Sequence, residues 1–190
     1  DVSHELKNPL TSLQSAMELI DKDTISKEDK QMLYKNVLND LRRMNQLITD
    51  ISKFTRLKAE IELEKNQLID LNVFLDELPT MFTNNQKEIE LIINKCDENV
   101  ELLGNKNKLI QVFVNLIENS ISLSPKKSKI LIEGKKIDQK MINIKIYDQG
   151  IGIEHNESEK IFERFYTDRH DNYKNHTGLG LSIAREIITH

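Results

Sequence analysis

The stretch Val2-Ser3-His4-Glu5-Leu6-Lys7-Asn8-Pro9-Leu10-Thr11-Ser12-Leu13 decides how the first third of this 190-residue chain is read. Its apolar residues, continued by Met17 and Ile20, fall at Val2, Leu6, Leu10, Leu13, Met17 and Ile20, advancing by fours and threes. That spacing lays one stripe along a helix packed at a seam. The helix runs to about Ile20, where the polar stretch 21–26 breaks the pattern. Ser26, with Asp29 three residues on, reads as an N-cap followed by a first-turn acid. A second stripe, Leu33, Val37, Leu41, Met44, Ile48 and Ile51, carries a second helix to about Leu57. Two helices joined by a short loop make an antiparallel hairpin. A lone hairpin buries too little apolar area to be stable, so its seam is expected to pair with a second copy as a dimeric four-helix bundle.

From about Glu60 the period changes. Runs at 88–94, 130–137 and 141–147 are β-like, and in the last of them Ile142, Ile144 and Ile146 alternate onto one face. The last two runs are expected to pair as a hairpin. Helical stretches are predicted at about 71–82, 106–123 and 179–188, and a sheet covered on one face by helices is the economical layering, an α+β two-layer sandwich. Residues 149–177 are polar with little periodicity, and long loops inside compact domains are commonly functional.

Composition bounds the rest. With 38% hydrophobic and 31% charged residues, no Trp and few aromatics, the chain has the balance of a globular protein with Leu/Ile-dominated cores. The net charge of −4 carries no basic footprint for nucleic acid. A single cysteine, Cys96, excludes an intrachain disulfide and any Cys-rich metal site. No apolar run approaches the roughly 18 residues of a membrane span, and no signal peptide is visible.

His4 lies beside the seam of the first helix, where its imidazole can reach solvent. Neutral imidazole is a competent phosphoryl acceptor, because one ring nitrogen keeps its lone pair while the other holds the proton. Glu5 is the candidate acid/base partner, although adjacent helical residues do not face each other. Pro9 removes one helical hydrogen bond and should release the carbonyl of Glu5, at about 3 kcal/mol. Asn8, four residues after His4, shares its face and can orient a water. The plainer readings are a solvated histidine and an Asn8-Pro9 pair that starts the helix after His4.

In the second half, Asn115-Leu116-Ile117-Glu118-Asn119-Ser120 falls on a predicted helix, with Asn115 and Asn119 on one face. Two amide oxygens there suit a hard cation such as Mg²⁺, or simply cap and solvate. Asp148-Gln149-Gly150-Ile151-Gly152 follows directly on a strand. The glycines let backbone approach a ligand, and the carboxylate can accept from an exocyclic amine; an ordinary glycine turn is the alternative. Thr177-Gly178-Leu179-Gly180-Leu181-Ser182 opens the last helix, where free N–H groups make a phosphate site. Upstream, Ile161-Phe162-Glu163-Arg164-Phe165-Tyr166 sets Arg164 among aromatic anchors, as a hinged lid with a phosphate contact or as a small hydrophobic cluster.

Taken in order, His-Glu-x-x-Asn-Pro-Leu, Asn-x-x-x-Asn, Asp-x-Gly-x-Gly, Phe-Glu-Arg-Phe and Gly-Leu-Gly-Leu, the series resembles two-component sensor histidine kinases over essentially the whole chain. The variant around His4 resembles envelope-sensing kinases of alphaproteobacteria. The resemblance implies a HisKA-type dimerisation and histidine phosphotransfer domain over 1–59, and over 60–190 an ATP-binding catalytic domain of Bergerat (GHKL) type, truncated at its C-terminus. It implies ATP and Mg²⁺ as cofactors. His4 would be the phospho-acceptor, Glu5 its acid/base helper and Asn8 the water-positioning residue of a reverse phosphatase reaction. Asn115 and Asn119 would hold Mg²⁺. Asp148, Gly150 and Gly152 would serve the adenine pocket, and Arg164, Gly178, Leu179 and Gly180 the phosphates, with 150–178 as the lid. The implied partners are a response regulator receiver domain and a second copy of the hairpin. The implied setting is a cytoplasmic domain whose parent is anchored in the bacterial inner membrane through upstream segments.

Two departures from the family pattern stand out. Ser120-Ile121-Ser122-Leu123 replaces the usual Ala-x-Lys-Tyr/Phe, and His176 stands where the glycine box usually begins. They point to a slow kinase rather than a dead one. A GHKL-type ATPase without phosphohistidine, and a degenerate nucleotide-binding dimerisation scaffold, are the alternatives.

Overall fold

The structure is a computed structural model that describes residues 2–20, 25–60, 66–83, 85, 87–139, 141–154, 157–166 and 177–189. The chain divides into two compact units, one comprising 1–62 and 159–182, the other 63–158 and 183–190. Most of the loop expected at 21–26, parts of the expected lid, and His176 lie outside the described residues.

In the first unit, α1 (Val2–Ile20) and α2 (Lys27–Glu60) form the expected helical pair. Ser26 caps α2: its hydroxyl accepts from the Asp29 N–H at 3.0 Å and donates to the Asp29 carboxylate at 2.7 Å, satisfying one of the donors that a helix start leaves open. The helices are laced by Ser12 Oγ donating to Asp40 Oδ2 at 2.7 Å and by Arg43 on Glu5. The apolar stripe divides differently from its sequence reading. Leu6, Pro9, Leu13, Ala16 and Ile20 on α1, with Leu33, Val37, Met44, Leu47 and Ile51 on α2, are buried or half-buried. Leu10, Met17, Leu41 and Ile48, assigned to the same seam by spacing, are exposed together with Tyr34 and Leu38. Each helix therefore carries two neighbouring apolar faces, which one period cannot separate.

The second unit is an α/β layer structure. Strand β1 (Gln67–Asp70) runs into α3 (Leu71–Met81), whose N-cap Asp70 accepts from the Val73 N–H at 3.1 Å. After β2 (Glu90–Asn94) and β3 (Glu101–Gly104) comes α4 (Lys106–Leu123), capped by Asn105 on the Lys108 N–H at 3.1 Å. Strands β4 (Lys129–Lys136) and β5 (Ile142–Tyr147) follow as the expected antiparallel pair, and α5 (Gly180–Thr189), of which residues 183–189 belong to this unit, closes the described chain. The strands make a mixed sheet, β2-β4-β5, with β2 parallel to β4, and a separate antiparallel pair β1-β3. Register sets the core. Leu91 and Ile93 lie opposite Ile130 and Ile132, and Ile146 lies opposite Ile132, so one face of the sheet is continuously apolar. It packs with Leu71, Phe74, Leu75 and Leu78 of α3 and Phe113 and Ile117 of α4. Phe74 and Phe113 meet edge to face at 5.3 Å, an arrangement worth about 0.5–1.5 kcal/mol beyond burial. Burial also pushes the Cys96 thiol above its ordinary pKa, with Asp97 adding to the effect.

Candidate active site

Helix α1 runs unbroken through Pro9, so Asn8-Pro9 does not start the helix and His4 stands within its first turn. His4 and Asn8 are both exposed and four residues apart on one face. Glu5 turns elsewhere: its carboxylate takes Arg43 Nη2 at 3.2 Å, with both side chains about a quarter exposed (29% for Arg43, 26% for Glu5). The carboxylate beside the imidazole in sequence is thus tied to α2. Among the described residues Arg43 Nε is buried without a hydrogen-bond partner, so the guanidinium uses only part of its donor fork there.

In the second unit, the residues expected to serve a nucleotide cluster where β5 ends beside α4. Asp148 Oδ1 accepts the N–H of Gly150 at 2.8 Å, closing a tight turn at the strand exit. Its other oxygen, Oδ2, accepts the hydroxyl of Ser120 on α4 at 3.1 Å. Gly150 has no room for a side chain, since a Cβ would come within 2.9 Å of Asp148 Oδ1 and 3.1 Å of Leu123 Cβ. Gly152 needs glycine for another reason: its φ is +78° in open space. Also on α4, Asn115 and Asn119, the latter immediately before Ser120, are half-buried and four residues apart on one face. The Nδ2 of Asn115 is fully buried with no partner among the described residues. A buried amide donor left without an acceptor costs about 1–3 kcal/mol, and a phosphate or water oxygen would relieve it. The donor set fits a nucleotide polyphosphate.

In the first unit, the Phe-Glu-Arg-Phe and glycine motifs are held together. The Phe165 N–H donates to the Gly178 carbonyl at 3.0 Å. A Cβ on Gly178 would fall 2.6 Å from Phe165 C and Tyr166 O, and its φ of +69° favours glycine as well. Phe165 itself sits at φ 65°, a conformation that costs a non-glycine residue about 1–2 kcal/mol. Arg164 is exposed just beyond the 3-10 turn Lys160–Phe162, Leu179 is buried, and Gly180 opens α5. Thr177 Oγ1 donates to Asp50 Oδ2 of α2 at 2.6 Å. Spacing did not single out Ser120, Arg43 or Asp50 as members of these clusters. Only the Ala-to-Ser departure at Ser120 gave a signal.

Two families match the chain. Residues 1–60 match the His Kinase A phospho-acceptor domain, and residues 104–190 match the histidine kinase-, DNA gyrase B- and HSP90-like ATPase. The sensor protein ChvG of Agrobacterium fabrum is 35% identical over 98% of this chain. The chain spans about a third of ChvG's length (33%). Among solved structures, the Acinetobacter baumannii histidine kinase AdeS aligns with 98% of this chain and 86% of its own, at 24% identity and a TM-score of 0.66. The histidine kinase ThkA, in complex with the response regulator TrrA, aligns with 91% of this chain and 51% of its own, at 21% identity and a TM-score of 0.66. The fold is a helical hairpin followed by an ATPase domain of the GHKL class. The chain belongs to the two-component sensor histidine kinases.

Proposed function

We propose that this chain is the kinase core of a two-component sensor, transferring the γ-phosphoryl group of ATP to a ring nitrogen of His4 and then to an aspartate of a response regulator. The observation that carries the reading is the Asp148 carboxylate held at the strand exit beside α4, where it can accept from the exocyclic amine of adenine. Residues 1–59 act as the dimerisation and phosphotransfer domain and 60–190 as the catalytic domain. Asn115 and Asn119 would hold Mg²⁺, which when bound neutralises phosphate charge. Arg164, Gly178, Leu179 and Gly180 serve the phosphates, and Gly150 and Gly152 the base. An exposed His4 can meet a phosphoryl donor in line and afterwards a receiver domain. The ThkA–TrrA complex supports a response regulator as that partner. The apolar residues left exposed on the hairpin support a second copy as the other. A kinase core works where ATP is, on the cytoplasmic side of a membrane-anchored parent.

Labelling with γ-labelled ATP tests this. The unaltered chain should acquire acid-labile, alkali-stable phosphate, and His4→Ala should lose all of it. Label that survives the substitution refutes His4 as acceptor.

The Glu5–Arg43 pair favours a second activity at the same helix face. With Glu5 engaged, Asn8 is an exposed polar side chain on the His4 face, placed to orient a water against a phospho-aspartate. The phosphatase reaction then proceeds while the kinase base is tied back.

A further inference from the structure

Asp148 receives one protein donor on each carboxylate oxygen: the Gly150 N–H on Oδ1 at 2.8 Å and the Ser120 hydroxyl on Oδ2 at 3.1 Å. The first comes from the turn that Asp148 itself opens. The second comes from α4, 28 residues away in sequence. We propose that Ser120 is a positioning residue for purine recognition, holding the Asp148 carboxylate in the plane that selects a 6-amino group. The proposal rests on the nucleotide reading above and adds a residue that the family pattern, with alanine here, does not use.

The terminal torsion of an aspartate is broad and roughly two-fold, so a carboxylate anchored at one oxygen swings readily. With each oxygen anchored by its own donor, Asp148 cannot rotate without breaking a hydrogen bond. An ionised carboxylate is acceptor-only with about four lone-pair sites, so two sites stay available after Gly150 and Ser120 are served. A fixed acceptor rewards an amine donor at the purine 6-position and repels a carbonyl oxygen there. Ser120 is only 5% exposed, so its hydroxyl is specified by the protein rather than by water. The helical hydroxyls of Thr11, Thr49 and Thr55 turn back on their own helix, each donating to the carbonyl four residues earlier, whereas Ser12 crosses to Asp40 of α2. Ser120 likewise reaches beyond its own helix. Gly150 completes the arrangement, because a side chain there would collide with Asp148 Oδ1 and Leu123.

The test compares two nucleotides on the whole chain with magnesium present: ATP, and purine riboside triphosphate, which lacks the 6-amino group. Titration calorimetry should show Ser120→Ala weakening ATP by about fivefold, the equivalent of one ordinary hydrogen bond, while purine riboside triphosphate binds as it does to the unaltered chain. Equal losses for both nucleotides would mean a structural role and overturn the proposal, as would no loss for either. A double variant with Asp148→Asn checks the route, since Ser120→Ala should then have no further effect on ATP; additive losses overturn it. Failure of the unaltered chain to bind ATP at all would overturn the nucleotide reading and the Ser120 role with it, and is distinguishable from failure of the Ser120 role alone.

Discussion

In the α/β unit, Phe74, Leu75, Ile117, Ile130 and Ile132 are shielded almost completely, and the sheet face they cover has no large gap in its apolar register. In the hairpin, the described buried residues are Pro9, Ala16, Ile20 and Leu47, while Leu10, Met17, Tyr34, Leu38, Leu41 and Ile48 stay at least 45% exposed. One half completes its core within a single chain. The other presents a second apolar face at heptad spacing, as a helix does when it packs on two neighbours. On the proposed pairing with a second copy, the hairpin is the part of the molecule whose stability would depend on protein concentration.

The contrast breaks most readily at Phe74. Phe74→Ala should destabilise the α/β unit by about 3–5 kcal/mol, independent of protein concentration, as read by denaturant unfolding at two concentrations. A concentration-dependent midpoint there would refute a self-contained core. Leu41→Ala should instead leave the stability of the dilute chain within about 0.5 kcal/mol and weaken self-association by about 1.5–3 kcal/mol, the burial of the exposed half of two leucines, one from each copy. Sedimentation equilibrium measures this, and unaltered association would remove Leu41 from the interface. The smallest effect is electrostatic. Lys136 Nζ, 2.6 Å from Glu98, holds that carboxyl below its usual range. A carboxyl with a depressed folded pKa adds stability above its unfolded value, near 4.3, and loses it as pH falls through the folded value. The difference in Tm between the unaltered chain and Lys136→Met should therefore be present at neutral pH and close only as pH falls through the depressed folded value of Glu98. A gap that persists in acid would assign the effect to packing of the lysine stem.

Much of this architecture was legible because its signals are local. The Ser26 cap, the seam spacing of α1 and α2, and the alternation of Ile142, Ile144 and Ile146 each specify an element from neighbours within a turn or two. The strands β1 and β3 were not read. Gln67-Leu68-Ile69-Asp70 and Glu101-Leu102-Leu103-Gly104 are four residues long, with adjacent apolar pairs in place of alternation, and only their mutual pairing makes them strands. The split of the hairpin's apolar residues into two faces was hidden for a related reason. Leu10 and Leu13 are both apolar, and which of them meets α2 depends on the partner helix. At the site, the shared face of His4 and Asn8 follows from helical periodicity. The anchoring of Asp148 by Ser120, of Glu5 by Arg43 and of Thr177 by Asp50 spans 28, 38 and 127 residues of sequence, and spacing carries no information over such separations.

The parallel pairing of β2 with β4 has a consequence for how the chain acquires its structure. Asn94 meets Glu133 across that ladder, so the pair cannot close until β3 and α4 have been laid down between them. Parallel ladders joined by long crossovers fold slowly, whereas helices form within about a microsecond. During synthesis from the N-terminus, the residues of the helix bearing His4 are therefore complete well before the sheet that leads into Asp148 can close, and the β2-β4 crossover is expected to be the slow step of folding.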